Sequence, residues 1–62
     1  MNLALNQQEI EVLQRALSMF LSDLRMEIAG TENYDFRQGL KQDEEILKGV
    51  LEKLGVHVAG NL

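Results

Sequence analysis

This chain of 62 residues predicts an all-α fold, a two-helix antiparallel hairpin. Three observations carry that prediction. Apolar residues recur in steps of three and four over two long stretches. The chain contains no proline to break either stretch. Between them stands the polar link Gly30-Thr31-Glu32-Asn33, and so short a link makes the two helices antiparallel neighbours.

Helix 1 is expected over about residues 7–29. Asn6 followed by Glu9 has the spacing of a capping box, in which the Asn side chain accepts from the N3 amide while the Glu reaches back. Leu5 and Ile10 occupy the two positions of a hydrophobic staple. The apolar stripe is Ile10, Leu13, Leu17, Phe20, Leu24 and Ile28, with Val12, Ala16, Met19 and Met26 on one flank and Leu21 on the other. Together they span roughly 220° of the helix, far more than the ~100° that one partner covers. Met19 and Met26 read as core filling. Gly30, after the last apolar residue, is expected as a left-handed C′ residue.

Helix 2 is expected over about residues 32–54, with Thr31 or Asn33 as its cap. Phe36, Leu40, Leu47, Val50, Leu51 and Leu54 share one face, and Ile46 lies at its edge. Glu44 and Lys48 form an i,i+4 pair on the outer side, as Glu11 and Arg15 do in helix 1. Gly39, near the edge of the apolar arc, allows close approach of another helix; nothing in the pattern explains Gly49. Gly55 reads as the C′ residue of a Schellman ending, with Val56 placed to touch Leu51. The tail over residues 55–62 shows no period and is expected to fray. Residues 1–62 therefore read as a single domain.

So short a chain buries only roughly 60% of its unfolded surface, and without cysteine no disulfide can supplement the core. Oligomerisation is the remaining common remedy. Two hairpins about a two-fold axis would cover the wide arc of helix 1, giving a homodimeric four-helix bundle.

Six Lys and Arg stand against ten Asp and Glu, a net charge of −4, so this acidic chain repels phosphate and nucleic acid is not an expected partner. No apolar run approaches the ~20 residues of a membrane span, and the opening Met1-Asn2-Leu3-Ala4-Leu5 lacks signal-peptide character. No membrane partner is expected, and the location expected is cytoplasmic.

Five charged residues stand out as candidates for interaction or for setting register: Asp23, Arg25, Glu27, Arg37 and Asp43. Asp23 and Glu27, an i,i+4 like-charge pair inside the apolar arc, call for a nearby cation. A hairpin turning at Gly30 puts Arg37 level with Asp23, as an interhelical ion pair or as part of a recognition patch with an outward-pointing Arg25. Asp43 falls in the middle of the helix 2 stripe. Either the stripe opens to solvent there or Asp43 snorkels past a neighbour, or the carboxylate pairs with Arg15 or Arg37 of a second copy and fixes dimer register.

No catalytic group, metal or cofactor is expected. Di-iron bundles need paired Glu-x-x-His motifs, and the single histidine, His57, lies in the tail, where it is expected to be solvated. Ser18 and Ser22 have no activating His or Lys nearby in sequence, and there is no glycine-rich phosphate loop.

The pattern Leu21-Ser22-Asp23-Leu24-Arg25-Met26-Glu27-Ile28, then Thr31, Phe36-Arg37, Leu40, Glu45, Leu47 and Leu51-x-Lys53-Leu54 resembles a group of short bacterial proteins of unassigned activity. The resemblance spans about residues 9–54 and implies a helical hairpin. Small hairpin phosphatases of the sporulation pathway are of similar size. Their Ser-Gln-Glu-Leu-Asp motif has only its Ser and Leu matched in Ser18-Met19-Phe20-Leu21-Ser22, so their activity is not carried over.

The function expected is a non-enzymatic homodimeric interaction module that binds another protein. The alternative is a small regulatory enzyme or modulator of a signalling protein, acting through Asp23, Arg25 and Arg37.

Overall fold

The computed structural model describes residues 3–56 and 58. It is all-helical, with α1 (Gln7–Gly30) and α2 (Tyr34–Lys53) packed against each other. Its extents are 40 × 23 × 16 Å. The smallest is little more than one helix with its side chains, ~10–12 Å, so the pair is one layer thick and both of its broad faces are open.

Local signals set the helix ends. The Asn6 side chain accepts from the Glu9 amide at 2.8 Å, and Glu9 accepts from the Asn6 amide at 2.9 Å, closing the capping box. At the far end of α2 the Gly55 amide donates to Glu52 and the Val56 amide to Leu51, both at 3.0 Å. That is the paired pattern of a Schellman ending, with Gly55 at φ 91°.

The link departs from expectation. Gly30 is the last helical residue and has no positive φ; α1 ends instead on Thr31 in an extended conformation, whose amide still donates to the Glu27 carbonyl. The link can afford this because its polar groups find other partners. The Asn33 amide donates to the Thr31 hydroxyl, and the Arg37 guanidinium donates through Nη2 to the Thr31 carbonyl. Asn33 caps α2 by accepting from the Phe36 amide at 2.9 Å, which starts that helix at Tyr34 rather than near Glu32. The expectations of a frayed tail and a solvated His57 fall largely on residues 57 and 59–62, outside the described ones.

Among the described residues the buried apolar ones are Leu21, Leu24 and Leu51, and Leu51 is fully buried. Ile10, Leu13, Leu17 and Ile28 of α1, with Leu40 and Leu47 of α2 and its C-cap Leu54, are half-buried around them. The seam on α2 is rotated by roughly 60° at 100° per residue from the arc the apolar residues alone define. It runs through Arg37, Leu40, Glu44, Lys48 and Leu51. Long charged side chains make this possible, because their methylene stems cover apolar surface while their heads pair or reach water.

Three glycines test these assignments. Gly39 makes no close approach within the hairpin, since a Cβ there would meet nothing within 4 Å, and the same holds at Gly49. Gly49→Ala should therefore stabilise the chain by about 1 kcal/mol through helix propensity alone. Gly55→Ala should act in the opposite direction, costing about 1–2 kcal/mol for a left-handed non-glycine residue. Urea unfolding of the two variants at one protein concentration checks both signs.

Candidate functional site

Antiparallel packing reverses the sense of rotation of one helix relative to the other. The flank of α1 carrying Phe20 and the flank of α2 carrying Phe36 and Val50 consequently lie on the same broad side of the pair. All three are exposed, at 53%, 54% and 39% respectively. With the half-buried Leu13, Leu40 and Leu47 on the same side they give an apolar face contributed by both helices and interrupted by the exposed Asp43. Val12, Met19 and Met26 carry exposed apolar surface around the back of α1, and Ile46 does so at the outer edge of α2. Met19 and Met26, expected as core, thus lie outside it.

Charge divides unequally between the two sides. The apolar face and its rims carry Glu9, Asp23, Glu27, Asp35 and Asp43 against Lys53 alone. The opposite side carries Glu11, Glu44, Glu45 and Glu52 against Arg15, Arg25, Arg37, Lys41 and Lys48. Glu32 sits in the link. The apolar face therefore carries −4 and the link −1, against +1 on the opposite side, for the net charge of −4.

The opposite side is held by a cross-helix ion pair. Arg25 Nε donates to Glu44 Oε2 at 2.8 Å, with the Arg25 side chain 24% and the Glu44 side chain 10% exposed. Further along the same side, Gln14 Nε2 donates to the carbonyl of Leu54, the C-cap of α2. These two contacts fix the register of the hairpin.

Several expectations are corrected here. Arg25 does not point outward; it turns across the seam onto Glu44. Glu44 is not on the outer side paired with Lys48: it is buried, and Lys48 lies 3.6 Å from Glu45 instead. Asp23 and Glu27 are exposed, and among the described residues no ion pair joins Asp23 to Arg37. The physical reason is the link, whose added helical and extended residues set Arg25, not Asp23, against α2 at this level. Arg37 is half-buried and its Nε finds no hydrogen-bond partner among the described residues. Asp43 is exposed, in the middle of the open apolar face, because the seam has rotated away from it.

A groove of about 820 Å³ runs beside the ion pair, lined in part by Ser18, Ser22, Arg25, Lys41 and Glu44. It brings two hydroxyls and an amine to one place that their sequence positions do not suggest. Among the described residues no hydrogen bond links either serine to Lys41, and no group of three His, Cys, Asp or Glu side chains converges. Among the described residues no helix is long and apolar enough to cross a membrane.

The buried Glu44 and the seam-bridging Gln14 are the residues the sequence pattern did not single out. The one available signal was Glu44's place one turn from both Leu40 and Leu47, and two turns from Leu51, on the wheel. Comparison with family models, curated proteins and solved structures gives no match.

Proposed function

We propose that this chain is a non-enzymatic protein–protein interaction module whose apolar face pairs with that of a second copy, completing a four-helix bundle. One observation carries the reading: Phe20, Phe36 and Val50, from both helices, stay exposed on one side, while among the described residues only three leucines are buried.

The alternative, a modulator acting through Asp23, Arg25 and Arg37, has less support. Its three residues do not meet: Asp23 faces the apolar side, Arg25 is engaged with Glu44, and Arg37 reaches back to Thr31.

Sedimentation equilibrium at micromolar concentration tests the proposal. The expected mass is twice the chain's 7.0 kDa, falling towards the single-chain value on dilution. A single-chain mass at every concentration, together with a cooperative thermal transition, overturns it.

A further inference from the structure

Self-association through the open face is electrostatically opposed, and this names the chemistry of a better partner. Pairing two copies brings Glu9, Asp23, Glu27, Asp35 and Asp43 towards the same five carboxylates of the other copy, with one lysine on each side to offset them. Asp43 is the most exposed to this penalty because it lies among Phe36, Leu47 and Val50 rather than at the rim, so any occupant removes it from water. Like charges across an interface cost affinity, and opposite charges gain both association rate and specificity.

We infer that the preferred occupant of this face is a cationic amphipathic helix of another protein, which displaces the second copy. An amphipathic helix packs on such a surface through residues at i, i+3, i+4 and i+7, and the exposed Phe20 of α1 with Phe36 and Val50 of α2 offer it apolar contacts from both helices. Lysines or arginines flanking that stripe then meet Glu27 and Asp23 on α1 and Asp43 on α2. The same carboxylates repel nucleic acid and anionic lipid surfaces. The inference rests on the open face being the interaction surface, and adds to it the partner's class.

The test uses the full chain and two synthetic amphipathic peptides with the same Leu/Phe stripe, one flanked by lysines and one by glutamates. Binding is followed by fluorescence anisotropy, and the mass of the chain by sedimentation, at about 0.02 and 0.5 M salt, where the Debye length falls from roughly 20 Å to about 4 Å. The lysine peptide should bind at least about tenfold more tightly than the glutamate peptide and convert the dimer to a mixed complex. Salt should weaken that binding while strengthening self-association. Replacing Glu27 and Asp43 together with Lys should reverse the peptide preference, with helicity unchanged.

Equal binding of the two peptides, or a preference indifferent to the Glu27 and Asp43 replacements, overturns the inference. If the chain pairs with itself and takes up neither peptide, the cationic partner falls and the interaction face stands. If it stays single and takes up neither, both readings fall.

Discussion

Arg25→Ala should cost the hairpin about 3 kcal/mol, the lower end of the range for breaking a buried pair, because Arg25 keeps a quarter of its side chain in water while Glu44 keeps a tenth. The asymmetry comes from what remains behind. Without the guanidinium, Glu44 is a nearly buried carboxylate in the packing between the two helices, left without its cation unless water enters the seam. For a chain of 62 residues, with total stability of roughly 3–9 kcal/mol, that is a third of the fold or all of it. The expected readout is a fall in the thermal midpoint of at least about 12 °C, measured at one protein concentration because association with a second copy also raises the midpoint.

Removing both partners distinguishes the penalty from the bond. Arg25→Met with Glu44→Leu replaces the pair by apolar groups of similar length, and such exchanges are often neutral or stabilising by ~1–4 kcal/mol. The double variant should therefore recover the midpoint that Arg25→Ala loses. A loss of stability by the double variant as large as that of Arg25→Ala would show that the pair is favourable in itself. A change of less than about 0.5 kcal/mol in Arg25→Ala, the range of an ordinary surface replacement, would free Arg25 from the scaffold and return it to the alternative functional reading.

That pair also marks where the sequence stops being legible. The features read most directly are those decided within a few residues: the capping box of Asn6 and Glu9, and the left-handed Gly55 with its Val56 amide turned back to Leu51. Each depends on local backbone geometry, so spacing is enough. The seam is a different kind of problem. Apolar periodicity centres the α2 stripe near Leu47 and Asp43, yet the observed centre lies near Leu51 and Glu44. A count of apolar positions gives no weight to the methylene stems of Arg37, Glu44 and Lys48, or to a partner 19 residues away.

Register follows the same logic, because it depends on how the link spends its residues. Gly30 could have ended α1 in the left-handed region, and its composition suggests that it does. The Thr31 carbonyl and hydroxyl instead find partners in Arg37 and Asn33, and the last turn of α1 stays helical through Gly30. The candidate residues were placed on the right helices, but which of them face one another was set by that turn.

Phe20→Asp should abolish self-association and leave the hairpin folded. Phe20 is 53% exposed in the single chain, so a charge there keeps its hydration and costs the monomer little. In a four-helix bundle the same position lies between two apolar faces and beside Asp23 and Glu27. Losing a central aromatic anchor costs about 3 kcal/mol, or roughly 150-fold in dissociation constant, and the added carboxylate deepens that loss on a face already short of cations. Met19→Asp is the control. Met19 is more exposed still, at 69%, but on the wheel it points directly away from the α1 seam, so its replacement should leave the dimer mass unchanged. Equal losses from the two variants would move the interface to the back of α1. Loss from Phe20→Asp alone, matched by Val50→Asp on the other helix, would place it across the seam, because only a partner seated on both helices at once can be sensitive to both residues.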